Sequence, residues 1–266
     1  MSYAVLLTED ASLRPADLAR ALAAARKVPV LDLMGPMRRA WGIVEEGRDK
    51  PSAEETARAL AAAGLKALAV PGELLEDVPP AELATGLTFS ESGFSYAERE
   101  APARRAEWKR LALVAAAAVT ETTSGAAAPP GDPHELAKKV IKTGITLMTG
   151  MPTSLGLAPK GPERKIEEVD QVYVVDLLLK DPAQRVRIEG KRFDFSCLGA
   201  RKGYTVPANM KILVGHLAAA APGAALNRGA QVMVDGRPLR EMGYDALGDL
   251  DRETRWRLTL AALSPR

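Results

Sequence analysis

Apolar positions open the chain as a short run, YAVLL at residues 3–7, closed by Thr8, Glu9 and Asp10, which predicts a first strand. Pro15 then stands at a helix start, and Leu18, Leu22 and Ala25 recur at helical spacing. A second helix follows Val28-Pro29, with Leu31, Met34 and Met37 near one face. Residues 41–44, WGIV, predict a second strand, followed by a charged turn at Glu45-Glu46-Gly47. Ser52 and Glu55 stand in capping-box spacing at the head of a third helix. Ala57, Leu60 and Ala61 line its inner face, and Gly64 suits its C-terminal cap. Residues 65–70 predict a third strand, closed by Pro71-Gly72. The order is βααβαβ, a small sandwich over residues 1–72.

The pattern then changes. Residues 73–84 are acidic, carry Pro79-Pro80 and predict a linker. Leu87-Thr88-Phe89 and Phe94-Ser95-Tyr96 flank SESG as a hairpin. Residues 108–119 fit a buried strand or an alanine-rich helix, and periodicity alone leaves both open. Low-complexity and Gly/Pro-punctuated sequence marks residues 120–168 as an insertion between strands, with His134 at a helix start. Residues 171–198 predict a three-stranded meander. Residues 172–179 are apolar on both faces, as in a central strand. Val186 and Ile188 alternate with Arg185, Arg187 and Glu189, giving a half-exposed strand, and Phe193, Phe195 and Cys197 form the third. A helix over residues 210–221 closes this region. A C-terminal helical extension, 223–266, ends in a helix near 250–263 with Trp256 and Leu260 on one face.

The βααβαβ spacing, with LLTED running from strand into acidic turn, resembles the C-terminal domain of the bacterial ribosomal stalk protein and the ClpS-like protease adaptors. The adaptor likeness implies a turn that holds a free α-amino group, matched loosely by Glu9 and Asp10; no histidine precedes His134 to complete that chemistry. Hairpin, Trp-led strand, meander and closing helix over residues 85–222 resemble a pleckstrin-homology-like domain interrupted by the 120–168 insertion. The FDFSCLG, NRGA and RWRLTL segments resemble stretches of bacterial proteins and imply no activity. The expected fold class is therefore α+β, a small βααβαβ sandwich followed by an antiparallel pleckstrin-homology-like β-domain with terminal helices.

Composition narrows the function. Charged residues are interleaved and the net charge is only +2, which excludes the concentrated basic face of a nucleic-acid binder. A single cysteine forbids an internal disulfide, and two histidines leave little material for a zinc site. The opening residues lack the pattern of a signal peptide, and the longest clean apolar run, residues 111–119, falls far short of the roughly 20 residues of a spanning helix. These features predict a cytoplasmic chain without a transmembrane segment.

Candidate chemistry is thin. His216 lies mid-helix without a partner, Cys197 ends an apolar face, and adjacent carboxylates such as Glu45-Glu46 point apart. No catalytic, cofactor-binding or metal-binding residues emerge. One local charge signal does. From Asp181 to Lys202, six basic residues stand against three acidic ones, and GARKG at 199–203 forms a basic loop without phosphate-loop spacing. Arg185, Arg187, Arg201 and Lys202 are the candidate contacts for an anion or a partner. The reading is a non-enzymatic adaptor or regulatory protein with a protein or peptide partner. The alternative is a module using loop 199–203 to hold an anionic ligand or to touch a membrane surface peripherally.

Overall fold

The computed structural model describes residues 1–10, 14–98, 102–125, 166–181 and 183–264. Its contacts divide the chain into two compact units, residues 1–120 with 171–266, and residues 121–170. Of the second unit only short strand ends are described, so the expected insertion, with His134, lies outside the described residues.

The first layer follows the predicted order: β1 (Tyr3–Leu7), α1 (Pro15–Arg26), α2 (Val30–Arg38), β2 (Ile43–Arg48), α3 (Lys50–Ala62) and β3 (Ala67–Pro71). β1 is central and antiparallel to both neighbours, in the order β2-β1-β3. Four consecutive residues of β1, Ala4 to Leu7, are fully buried, because helices cover one face and the rest of the chain the other. Pro15 starts α1, whose buried face is Leu18, Ala19, Leu22 and Ala23; Ala25 faces solvent. On α2 only Met37 is buried, and Leu31 is exposed.

Two local expectations shift. The charged segment Glu45-Glu46-Gly47 continues β2 instead of turning, since its edge position leaves one side open to water. The cap of α3 is Asp49, whose carboxylate accepts from Ser52 N at 3.0 Å; Ser52 is inside the first turn.

The second region contains β4 (Ala81–Ala84), β5 (Gly86–Ser90), β6 (Gly93–Ala97), β7 (Arg104–Glu107), β8 (Leu111–Gly125), β9 (Ile166–Leu179), β10 (Gln184–Glu189), α4 (Val206–Ala220), β11 (Ala225–Leu226), α5 (Arg228–Val234) and α6 (Leu247–Leu263). The expected hairpin is β5–β6, and β7 extends it to an antiparallel sheet of three. Residues 111–119 are strand. β9 is the middle of a five-stranded sheet, β11-β8-β9-β10-β4, as its two apolar faces require.

The chain is α+β, but the second sheet is mixed and not an antiparallel meander. β4 pairs parallel with β10, and β11 parallel with β8. The expected third meander strand does not form. Asp194 instead caps a 3-10 segment, Phe195–Arg201, by accepting from Ser196 N, and Gly199 at φ 55° bends the chain away. Phe193 and Phe195 are both buried, edge to face at 5.1 Å, so their alternation reflects packing without a ladder. The vacated sheet edge is filled by β4, drawn from the end of the expected 73–84 linker.

Residues 223–266 are integral to both cores. Trp256 of α6 is fully buried in the first core, and its indole donates to Leu7 O at 2.7 Å. Arg252 donates to Ala40 O and Ile43 O, while Leu250 packs in the second core. Gly42, at φ +89°, lets the chain pass the Trp256 ring, where a Cβ would stand 2.1 Å from a ring carbon. At α5, Gly229 allows equally close approach to Ala116 O.

Candidate functional site

β10 sorts its side chains by strand alternation. Val186 and Ile188 are buried on one face; Arg185 and Arg187 share the other. That other face does not open to solvent. Arg187 lies directly across β9 from Asp176, which is completely buried. Arg185 donates to Asp176 Oδ2 from Nε at 3.1 Å and from Nη2 at 2.6 Å. Arg187 donates from Nε to Oδ1 at 2.8 Å and from Nη2 to Oδ2 at 2.9 Å. Asp251 of α6 completes the group, accepting from Arg185 Nη2 and, at 3.4 Å, from Arg187.

Two guanidiniums therefore face two carboxylates, and their charges cancel. Burial opposes the charge on Arg187, but its bonds to Asp176 and the nearby Asp251 outweigh that and raise its pKa. The arginine side chains are only 6% and 13% exposed. The expected outward Arg185–Arg187 face is thus an internal ion network that ties β9, β10 and α6 together.

Arg201 and Lys202 are placed differently. Both are exposed at the end of the 3-10 segment. The Lys202 ammonium is 3.9 Å from Asp194, a distant, solvated pairing. Arg201 Nη2 lies 3.4 Å from His216 Nδ1 on α4. The His216 ring packs on Phe89 with centroids 4.2 Å apart and meets Trp108 edge-on at 6.4 Å. Burial, and then the Arg201 charge, push the His216 pKa below its ordinary value.

The backbone beside these cations is fixed from both ends. Asn209, buried in the first turns of α4, accepts from Gly203 N at 2.6 Å and donates to Gly203 O at 3.2 Å. Thr205 caps α4 by accepting from Ala208 N. Between the clamped glycine and the capping threonine stands Tyr204, whose relative exposure is 108%, that of a side chain fully in water. Residues 201–204 therefore present two cations and one aromatic ring on a held backbone.

Cys197 is half-buried against the second core. Burial foremost, then the Asp194 charge, raise its pKa despite Arg201 and Lys202, so the thiol is not activated. Among the described residues no group of three metal-ligating side chains occurs, and no helix is long and apolar enough to cross a membrane.

Sequence reasoning missed Asp176, Asp251, Asn209 and Tyr204. Asp176 carried a signal, a lone acid in VVDLLL beside the alternating R-V-R of the next strand. Tyr204 carried little, because a single tyrosine between glycine and threonine does not announce its exposure. No protein-family model matches this chain, and no similar protein was found among curated sequences or solved structures.

Proposed function

We propose that the chain is a non-enzymatic, cytoplasmic adaptor or regulatory protein that recognises an acidic segment of a protein or peptide partner through residues 201–204. The observation that carries this reading is the fully exposed Tyr204 on a backbone held by Asn209 and Thr205. A large aromatic side chain loses little conformational entropy on binding, and a fixed backbone removes the ordering cost of the loop. Arg201 and Lys202 supply attraction to an acidic partner and speed its encounter. Arg185 and Arg187 have no part in it, since Asp176 and Asp251 already occupy them.

The second reading, an anionic ligand or membrane surface held by loop 199–203, uses the same two cations. It differs in its dependence on salt. Contact made by exposed charges alone weakens steeply between about 50 and 300 mM salt; contact anchored by a buried tyrosine persists.

The test is affinity capture with the full chain from the cell that makes it, comparing wild type, Tyr204→Ala and Arg201→Ala/Lys202→Ala. A specific partner retained at about 300 mM salt and lost with Tyr204→Ala is expected. Capture indifferent to Tyr204→Ala would refute the reading. Sedimentation with anionic vesicles, lost on removing Arg201 and Lys202 and on raising salt, would favour the surface-binding alternative.

A further inference from the structure

A separate pocket of about 290 Å³ opens between the first helical layer and the C-terminal segment. Its size lies near the lower end of small-molecule pockets, roughly 300 Å³. Leu18, Met37 and Trp41 give it an apolar wall, while Arg38 and Arg228 bring two cations and Asp245 one anion to the same lining.

Trp41 is the unusual member. It is a non-glycine residue at φ +44°, a conformation that surrounding structure must impose. Its ring stacks on Tyr244 with centroids 4.5 Å apart and planes inclined by 25°. Its indole Nε1 is buried and has no hydrogen-bond partner. The other two indoles are both satisfied, Trp108 by Ser90 O and Trp256 by Leu7 O. That nitrogen has no accessible surface, so it is the Trp41 ring, and not its N–H, that the pocket offers to a ligand.

The guanidiniums point to the class of ligand. Arg38 makes no hydrogen bond or ion pair among the described residues, and Arg228 uses only Nε, donating to Glu241 O at 3.1 Å. Their terminal N–H groups remain available. Charged arginines with free forks beside an apolar wall fit a carboxylate on a hydrophobic body. Asp245 leaves the lining with a net charge of +1, which suits a monoanion better than a phosphate dianion.

We propose that this pocket binds a small carboxylate carrying an apolar body, with Arg38 and Arg228 as its donors and Leu18, Met37 and the Trp41 ring against its hydrocarbon part. The site stands apart from residues 201–204, and neither proposal needs the other.

The test uses 4-phenylbutyrate as probe and the full chain labelled with nitrogen-15. Three tryptophans give three indole N–H resonances, and Trp41→Phe assigns the relevant one. Saturable movement of the Trp41 resonance is expected, with those of Trp108 and Trp256 still. Arg38→Ala and Arg228→Ala should each weaken the probe at least about five-fold, in line with loss of a charge-assisted hydrogen bond. Both arginines are exposed, and the unmoved Trp108 and Trp256 resonances report that the fold is kept. The uncharged 4-phenylbutanol should bind at least about ten-fold more weakly, and phenyl phosphate more weakly than the carboxylate. A Trp41 resonance that stays fixed up to about 10 mM probe, where a weak ligand would still bind, overturns the site. Equal binding by the alcohol, or binding unchanged when both arginines are removed, overturns the ligand class.

Discussion

Replacing Asp176 by asparagine removes one negative charge from a point where two guanidiniums converge. The side chain keeps its shape and one carbonyl acceptor. It loses the charge that holds Arg185 and Arg187, which are 6% and 13% exposed. Asp251 remains, but it is 46% exposed and cannot balance two cations. Breaking a buried pair by neutralising one partner costs about 3–5 kcal/mol, because an uncompensated charge stays inside. The two pairs share one carboxylate, so their losses do not add, and we expect Asp176→Asn to cost about 3–5 kcal/mol in total. In urea unfolding at pH 7, with a slope of about 3 kcal/mol per M, the midpoint should fall by at least about 1 M. The companion variant Asp176→Leu/Arg185→Met/Arg187→Met removes the whole buried cluster and leaves Asp251 facing water. It should lie within about 1 kcal/mol of wild type or above it, since the desolvation of the buried ions vanishes with their attraction. If Asp176→Asn costs less than about 1 kcal/mol, the guanidiniums are free to turn to solvent. Arg185 and Arg187 would then return as ligand contacts, and their assignment as an internal tie would be wrong.

Gly42→Ala meets both a left-handed backbone and the Trp256 ring, and should cost more than about 3 kcal/mol in the same urea experiment; a loss under 1 kcal/mol would mean the two cores separate easily there. His216 should titrate below its ordinary 6.5, followed by its imidazole proton resonance. Burial favours the neutral ring in the fold, so the His216 contribution is present above pH 6.5 and declines as pH falls toward the lower folded value; Arg201→Ala should raise that value, and titration at or above 6.5 would contradict the packing against Phe89. The Tyr244 hydroxyl donates to Glu253 and accepts from Asn227 Nδ2 and Gly229 N. Burial first, and Glu253 next, hold its pKa well above 10, so its stabilising contribution is intact below pH 10 and is lost as pH rises further, which unfolding curves between neutral and alkaline pH can follow. Tyr204→Ala should leave stability within about 0.5 kcal/mol, because a fully exposed side chain contributes little to the fold.

What the sequence carried follows from where periodicity is decisive. β1, α1, α3 and the β5–β6 hairpin have strong local signals: a closed apolar run, a proline start, a capping residue, a two-residue turn. β4 and β7 had none. AELA and RRAE hold one buried residue each, so their strand state comes from pairing with distant partners and not from their own pattern. The 193–197 segment shows the converse. Its alternation was clean, yet Asp194 offered the backbone a competing bond at Ser196 N and the chain took a 3-10 path. Arg201 and Lys202 were legible as exposed because a turn and two glycines bound them. Arg185 and Arg187 were misplaced because strand alternation tells which side chains share a face, not what covers that face. Here the cover is α6, about 60 residues downstream, which no local pattern reveals.

α6 also explains why the candidate sites fall where they do. Asp251 enters the ion network of β9 and β10, Glu253 accepts from Tyr244 and from Arg228 N, and Trp256 fills the first core. Arg257 reaches Asp10 at 3.0 Å and Glu253 at 2.9 Å. One helix thus consumes most of the buried charge in the described residues, and its charged groups are matched mostly from other elements, while its buried Thr254 hydroxyl has no partner. Its matched charged groups specify how the two cores join; they have no bonding capacity left for a partner. Accessible bonding capacity lies elsewhere. The 201–204 tip keeps two solvated cations and a bare ring. The Trp41 pocket keeps an apolar wall and the free ends of two arginines. Recognition is therefore expected at the margins of the join, and substitutions on α6 should act through stability while those at Tyr204, Arg38 or Arg228 act through binding.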